Sequence, residues 1–207
     1  MRFSIAVTAL AAGLLLAGCA APEPTPTASP TTSPSPTVSP DASPAAAYCV
    51  EKGGTVQSRQ ATYGTNNDEA SWVPFGDPVD VCRFQTLGDA DDSRIYVDLV
   101  TLYSENPTLA ALAYLAKTPI PDDAQGNPAT ALCTAIGGAI NYGTGANGGG
   151  LVNKDDPIDV VFAPCVFADG SFIEEWGIAY YADGTVRGID LADVFRFDPS
   201  TAPALTF

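Results

Sequence analysis

The 207-residue chain carries 24 acidic and 9 basic residues, so its formal net charge is −15. A chain this acidic is not expected to bind nucleic-acid phosphates, or an anionic membrane surface, through its charge. Histidine is absent, which excludes Ser-His-Asp and Cys-His catalysis and histidine-ligated zinc. We therefore predict no cofactor and no nucleic-acid partner.

Residues 1–18 predict an export signal. Arg2 supplies a short positive region, and a mostly apolar run follows from Phe3 to Ala17. This run is too short to span a bilayer comfortably and ends in small residues, as cleaved signals do. The end, Leu16-Ala17-Gly18-Cys19, resembles the lipobox of bacterial lipoproteins, whose cysteine is acylated after cleavage. We predict lipidation at Cys19; the alternative is an ordinary signal peptide with a chance cysteine.

Residues 19–42 predict a linker that is rich in proline, serine and threonine. Eighteen of the 23 residues from Pro22 to Pro44 are of these three types. They show no apolar periodicity, so burial of apolar surface cannot offset the entropy lost on ordering. Such a segment favours extended polyproline II, at about 3.1 Å per residue. We predict a disordered tether that holds the folded part away from the membrane.

The remaining residues predict an internal duplication, with one copy at 43–120 and the other at 121–207. Ser43-Pro44 and Asn127-Pro128 are matching helix starts, and a Gly pair ends each helix, at 53–54 and 137–138. An N-cap residue, proline at the first helical position and glycine after the last turn are typical helix boundaries. Two cysteines also recur at matching places, at offsets of 84 and 83 residues.

Strands follow each predicted helix. In the second copy, Asp-Gly turns at 169–170 and 183–184 predict a three-stranded meander over 158–167, 172–181 and 185–189. The first copy predicts strands over 80–85 and 94–103, then a helix from Asn106-Pro107 whose Leu109, Leu112 and Leu115 cover the joint between the copies. The predicted fold is α+β: two tandem helix-plus-antiparallel-hairpin repeats packed into one domain.

Four cysteines remain once Cys19 is assigned to the anchor, and four cysteines allow three pairings. The duplication favours Cys49–Cys82 and Cys133–Cys165, because each copy then carries the same bridge from helix to strand. Each bridge would close a loop of about 33 residues and add roughly 3–4 kcal/mol on the chain-entropy model.

The second copy resembles the DUF333 family, small exported bacterial modules that often carry a hemolysin label. The matching residues are Asn127, Pro128, Ala129, Cys133, Gly137, Gly138, Cys165, Phe167, Asp169, Gly170, Ser171, Glu175 and Trp176. The sequence departs from the family at Ile173 and near Asp183, where the family pattern has cysteines, and the first copy is divergent. The resemblance implies fold and location but no established activity.

Candidate chemical groups are few. Glu174 and Glu175 could act as acid and base, but on a strand they would point to opposite faces. The acidic turn from Asp89 to Asp92 lacks the glycine and distal glutamate of a calcium loop. The glycine-rich stretch 142–150 lacks the lysine and following helix of a phosphate loop. Trp72 and Trp176 are predicted to pack in the core.

We therefore predict a non-enzymatic lipoprotein, extracytoplasmic and held on the bacterial cell membrane by its lipid, that binds an envelope or extracellular protein or glycan. The alternative is a carboxylate-based hydrolase of envelope glycans, which would need two acidic residues roughly 5–10 Å apart in a cleft. A membrane-damaging protein fits less well, because the only late helix is short and carries one cation.

Overall fold

The computed structural model describes residues 43–86, 88, 92–140, 142 and 145–205. The predicted signal at 1–18 and the linker at 19–42, with Cys19, lie outside the described residues. Helices are α1 (Pro44–Glu51), α2 (Leu99–Tyr103), α3 (Leu109–Ala116), α4 (Pro128–Ala135) and α5 (Glu175–Ala182). Strands are β1 (Thr55–Tyr63), β2 (Val73–Pro74), β3 (Val79–Gln85), β4 (Arg94–Asp98), β5 (Gly149–Val152), β6 (Val161–Phe162), β7 (Pro164–Val166) and β8 (Phe172–Glu174).

The strands form one antiparallel sheet in the order β6-β5-β1-β3-β4-β8-β7, and β2 also pairs with β1. The predicted mixture of helices with an antiparallel sheet is therefore confirmed. The β3–β4 and β7–β8 hairpins meet side by side at Val97 and Ile173. Because the two hairpins join in this way, the two halves of the chain share one sheet.

The two faces of the sheet bury different cores. All five helices contribute to the larger core, which includes both disulfides, Phe84, Ile95, Val97 and Ile173. The opposite face buries a smaller cluster of Ala61, Val81, Tyr96, Leu151, Phe162 and Phe172. Successive strand residues alternate between faces, so a strand such as β4 contributes Ile95 to one core and Tyr96 to the other.

Helices α1 and α4 begin and end as their sequences predict. The side chains of Ser43 and Asn127 accept backbone hydrogen bonds in the first turn, and proline follows each of them. Gly53 and Gly137 have φ of +87° and +81°, a left-handed conformation that favours glycine at a helix end.

The structure contains the disulfides Cys49–Cys82 and Cys133–Cys165. The second glycine of each pair lies directly against its bridge. A Cβ on Gly54 would lie 2.3 Å from the Cys82 Sγ, and one on Gly138 would lie 2.4 Å from the Cys165 Sγ. Both positions therefore need glycine for the same steric reason.

The halves also share a pairing pattern. Thr55, directly after one Gly pair, pairs with Arg83 on β3. Ala139, directly after the other, forms a bridge with Val166 on β7. Each cysteine-bearing strand is then followed by a strand that runs straight into a helix, β4 into α2 and β8 into α5.

These strand-to-helix junctions overturn two predicted strands. The strands expected over 94–103 and 172–181 end at Asp98 and Glu174, and helices continue from the next residue. A short apolar run does not distinguish strand from buried helix. The Asp98 side chain accepts a hydrogen bond from the Thr101 backbone and so starts α2. Residue 177 is glycine, and a Cβ there would lie 2.7 Å from Ile95, so α5 packs closely on the sheet.

The predicted meander of the second half is therefore wrong. The strand expected over 158–167 is two short strands, β6 and β7, and residues 185–189 form no strand. The Asp183-Gly184 pair ends α5 and does not turn a hairpin. Its backbone N–H groups bond back to Ala179 and Tyr181, the pattern of a helix C-terminus.

Helix α3 exists, but its start and its buried face differ from the prediction. Its N-cap is Thr108, not Asn106, because the Thr108 hydroxyl accepts the Ala111 backbone hydrogen bond. The helix packs against β8 and α5, which belong to the other half of the chain. Residues 110–114 are all buried, so the helix is enclosed on nearly every side; of the three predicted leucines, Leu112 is buried, Leu115 is partly buried against the larger core, and Leu109 is exposed. Small alanines let the helix lie close to the sheet.

Residues 57–68 and 142–156 are two largely polar stretches, here called the excursions, and part of each pairs with part of the other. The last four residues of β1, from Gln60 to Tyr63, pair with β5. β2 and β6 extend this pairing on either side. We call β2, β5, β6 and residues 60–63 of β1 the wing. One excursion comes from each half of the chain, so the wing requires both.

Candidate functional site

A buried arginine joins the wing to the rest of the sheet. The side chain of Arg59 is fully buried, and its Nη2 lies 2.5 Å from Oδ2 of Asp156, which is buried as well. Its guanidinium carbon lies 4.6 Å from the centre of the Tyr96 ring and 4.8 Å from that of Phe162. It also donates to the backbone carbonyl of Leu151 in β5. Arg59 therefore contacts β5 and β6 of the wing on one side and β4 of the main sheet on the other.

Asp156 is the anion of this cluster. Its carboxylate accepts hydrogen bonds from Gln57, Tyr96 and Arg83 as well as from Arg59. Burial alone would raise the pKa of Asp156, but the Ile158 backbone N–H, Gln57 and Tyr96 all bond to its ionised form and lower the pKa to about 2. Asp156 is therefore ionised at neutral pH and is satisfied on every side, so the cluster is structural.

A second group of charges lies beside the first. Arg94 forms an ion pair with Asp159, in which Nε and Nη2 of Arg94 donate to the two carboxylate oxygens of Asp159. Glu174 is buried, with Oε1 3.8 Å from Nη1 of Arg187, and no described group forms a hydrogen bond with its Oε2. Burial raises the pKa of Glu174 to about 7, Arg187 opposes the rise, and Asp159 adds to it.

On the predicted strand, Glu174 and Glu175 would point to opposite faces and would not form an acid–base pair. In the structure Glu174 ends β8, whereas Glu175 begins α5, and both are buried. Glu175 accepts hydrogen bonds from Asn127 Nδ2 at 2.8 Å and from Thr130 Oγ1 at 2.7 Å. Burial raises its pKa, and these two bonds oppose the rise. Through these hydrogen bonds Glu175 connects the start of α5 to the start of α4.

The wing exposes an apolar strip at its tip. Tyr63 on β1 lies opposite Val73 on β2, and the Phe75 backbone continues the ladder by donating to Ala61. Alternation places Tyr63, Val73 and Phe75 on one face. They are 43%, 55% and 41% exposed. Half-buried Tyr142 extends the strip, with its ring centre 5.7 Å from that of Phe75.

A groove of about 900 Å³ opens beside the strip. Its lining is mostly amide, hydroxyl and small side chains: Tyr63, Gly64, Asn66, Asn67, Asp68, Ala70, Ser71, Val73 and Asn147. We call it the amide groove. Asn147 comes from the second half of the chain and donates to the Tyr63 hydroxyl at 2.6 Å. The groove and the strip therefore share Tyr63 and Val73.

Two loops meet at the end of the amide groove. The backbone N–H of Gly64 donates to Gly148, and that of Asn66 donates to Asn147. A Cβ on Gly148 would lie 2.6 Å from the Asn66 side chain, and the φ of Gly148 is +67°. The positive φ favours glycine here, and a larger residue would also displace the Asn66 side chain. This part of the glycine-rich stretch therefore builds the groove wall.

Two of the smaller clefts contain an acidic residue. One, of about 670 Å³, has Glu175 as the one acidic residue in its lining as described, together with Asn66, Asn127 and Thr130. The other, of about 290 Å³, lies on the opposite face of the wing and has Trp72, Glu69 and Lys154 in its lining. Neither cleft, as described, brings two carboxylates together.

The remaining predicted residues are placed as follows. Trp176 packs against the larger core, whereas Trp72 belongs to neither core and lies under the Lys154 ammonium, 5.7 Å from its ring centre. In the acidic turn, Asp92 is described, and Asp89 and Asp91 lie outside the described residues, as do residues 143 and 144. No cluster of His, Cys, Asp or Glu suited to a metal occurs among the described residues.

Sequence reasoning missed Arg59, Asp156, Tyr63 and Phe75. The available signal was residues 55–63, whose threonine, valine and tyrosine are typical of strands. No helix within the described ranges is both long and apolar enough to cross a bilayer.

No protein-family model, curated protein or solved structure matches the chain. The resemblance of residues 127–185 to DUF333 modules therefore stays a prediction from the motif residues alone.

Proposed function

We propose that the chain is an exported bacterial lipoprotein, acylated at Cys19 and held outside the cell membrane, that binds an envelope partner without catalysing a reaction. The lipobox-like Leu16-Ala17-Gly18-Cys19 and the Pro/Ser/Thr-rich linker support the anchor. Two disulfides support an oxidising location, because bridges persist outside the reducing cytosol.

The observation that carries the binding function is the apolar strip beside the amide groove. Three neighbouring side chains that are at least 41% exposed lie on one face of the wing. Contiguous exposed apolar surface rimmed by polar groups is typical of binding sites. Aromatic residues supply contact area at low entropic cost, and polar groups beside them give orientation. The strip and the amide groove, together called the wing tip, are therefore the proposed binding surface.

The tandem arrangement also belongs to this proposal. We regard 43–120 and 121–207 as two DUF333-like copies, the first divergent. Gly54 and Gly138, packed alike against equivalent disulfides, support common descent. So do the matching strand-to-helix junctions at Asp98 and Glu174. In this proposal the two copies differ most in residues 57–68 and 142–156. These two segments together form the binding surface.

A glycan hydrolase is the less favoured function. Retaining and inverting mechanisms both need a pair of carboxylates flanking the scissile bond. The amide groove, as described, is lined by one carboxylate, that of Asp68, and the cleft at α4 by one, that of Glu175. Glu175 is also engaged by Asn127 and Thr130. A binding function requires no such pair.

Cys19→Ser should abolish the anchor. Without the thiol the chain cannot be acylated, and it should stay unprocessed or leave the membrane. Detergent phase partition of cell fractions, with chain masses read by mass spectrometry, measures this: the parent enters the detergent phase as the cleaved form, whereas the variant is either cleaved and absent from that phase or present there only as the uncleaved chain. Ser29→Ala, in the linker, is the control and should partition like the parent. A cleaved variant that partitions like the parent would show that Cys19 carries no lipid.

The purified full chain, kept in detergent, should sediment with detergent-insoluble wall fragments from its own cells. Tyr63→Ser combined with Phe75→Ser removes two rings of the strip and should reduce the sedimented fraction at least tenfold. The matched control is Val100→Ser with Tyr180→Ser, which removes side chains that are 68% and 39% exposed elsewhere. If the parent stays in the supernatant, or both double variants lose binding equally, the binding function proposed for the wing tip is wrong.

A further inference from the structure

We infer that the amide groove binds a neutral, hydroxyl-rich glycan chain, with sugar rings laid against the apolar strip. The inference rests on the proposed binding function and names the ligand class.

The amide groove offers acceptors. Asn66, Asn67 and Asn147 each donate through Nδ2 to a group of the protein, at 3.4, 3.2 and 2.6 Å. Their Oδ1 atoms accept nothing from the described residues, and the carboxylate of Asp68 is also unengaged there. A ligand that matches these oxygens must bring O–H or N–H donors. Saccharide hydroxyls supply such donors at close spacing.

The charge of the amide groove disfavours an anionic ligand. Asp68 is the only charged residue in the groove lining as described. The ion pair of Lys154 with Glu69 lies with Trp72 on the opposite face of the wing. An acidic glycan, a phosphate or a nucleic acid would meet repulsion from Asp68 and find no cation in the lining as described. A neutral glycan fits because it brings hydroxyl donors without a negative charge.

The strip supplies the apolar partner for the sugar faces. Tyr63 presents a ring to solvent, while its hydroxyl is held by Asn147 at 2.6 Å. Val73 and Phe75 continue the exposed surface along one side of the groove. A pyranose has an apolar face of C–H groups and an equatorial rim of hydroxyls, so it can use both surfaces at once. A compact apolar ligand would leave the amide oxygens dehydrated and unpaired.

The test uses three neutral hexasaccharides, chitohexaose, cellohexaose and maltohexaose, titrated calorimetrically into the full chain in detergent. At least one should bind, and Tyr63→Ala should weaken its binding at least tenfold. Tyr180→Ala removes a tyrosine of similar exposure on α5 and should leave the affinity unchanged. Thermal melting of each variant shows that the fold persists.

Two further arms separate glycan from other ligands. A permethylated form of the bound hexasaccharide keeps its apolar surface but has no hydroxyl donors, so it should not bind. Raising the salt concentration from about 50 to about 500 mM should leave glycan binding unchanged, whereas a cationic peptide held by the charge of Asp68 should be released. Equal binding of the permethylated form, or no binding of any hexasaccharide, would overturn the inference.

Protease-stripped wall fragments distinguish this failure from failure of the proposed function. If the ligand is a glycan, the parent chain should sediment with stripped and untreated fragments alike. Sedimentation that is lost on stripping would identify a protein partner, so the glycan inference would fail while the binding function stood. Absence of sedimentation with untreated fragments would defeat the binding function itself.

Discussion

Asp156→Ala should lower the free energy of unfolding by about 3–5 kcal/mol, the range for breaking a buried ion pair. The loss comes mainly from Arg59, whose fully buried guanidinium would keep its charge without its anion. Arg83 and Tyr96 would lose a partner as well. For a domain of this size the melting temperature should fall by roughly 10 °C. Chemical denaturation at pH 7 measures the change.

Two variants test whether the unpaired charge is the cause. Asp156→Asn keeps the shape of the side chain but removes its charge. It should lower the free energy of unfolding nearly as much as Asp156→Ala does. Arg59→Met combined with Asp156→Leu removes both charges and should be more stable than Asp156→Ala, since apolar residues often replace buried ion pairs at little cost. Glu105→Gln is the control. It breaks an ion pair with Arg196 at the surface, where the Glu105 side chain is 72% exposed. That control should change the stability by less than about 0.5 kcal/mol.

The pH dependence of this pair has a definite sign. The pKa of Asp156 lies at about 2 in the folded protein, below its ordinary value of 3.8. Its contribution to stability is therefore complete above about pH 4 and is lost as the pH falls toward 2. Parent and Asp156→Asn stabilities should converge in that window. A parent no less stable at pH 2 than at pH 5, or an Asp156→Ala chain as stable as the parent, would show that Asp156 does not hold the wing.

Local signals were enough to predict the starts and ends of α1 and α4. A cap residue, a proline and a Gly pair act within one short segment, so Ser43-Pro44 and Asn127-Pro128 specify their helices without help from the rest of the fold. The cysteine pairing was predicted by a different route, from the apparent duplication, because each copy then places one cysteine on its helix and one on a following strand.

The wing could not be predicted in this way. Arg59 and Asp156 are 97 residues apart in sequence, and nothing near Arg59 marks it as buried. Residues 142–156 look like a loop because they are rich in glycine, asparagine and aspartate. Their strand, Gly149–Val152, forms because β1 offers an edge on which they pair. Tertiary pairing thus decides the structure of both excursions.

The carboxylates were misplaced for a related reason. Residues 172–181 are apolar enough for a strand, and the helix from Glu175 is selected by its packing on Ile95 and by the bonds of Glu175 to α4. Glu174 therefore lies at the end of a strand and Glu175 at the start of a helix, and both side chains are buried. The groove residues were likewise found only once the fold had brought Tyr63 beside Asn147.

Glu174 should make the domain less stable as the pH rises through neutrality. Its folded pKa, raised to about 7 chiefly by burial, lies above its ordinary value of 4.5. The folded state therefore favours the protonated acid, so the stability from Glu174 is fully present below about pH 4.5 and is lost as the pH passes 7. The expected loss between pH 5 and pH 8 is about 2.5 kcal/mol, because each pKa unit is worth about 1.4 kcal/mol and a small part of the stability is already lost at pH 5.

Glu174→Gln removes the titrating group while keeping the size of the side chain. The variant should match the parent near pH 5 and exceed it by roughly 10 °C in melting temperature at pH 8. Taking the difference between the two chains cancels the titration of every other group. Arg187→Met removes the cation 3.8 Å away, which should raise the pKa of Glu174 further and make the loss toward alkaline pH steeper. Arg94 and Asp159 also act on Glu174 and are unchanged in both variants. Parallel pH profiles for the parent and Glu174→Gln would mean that Glu174 is ionised at no cost in the folded protein.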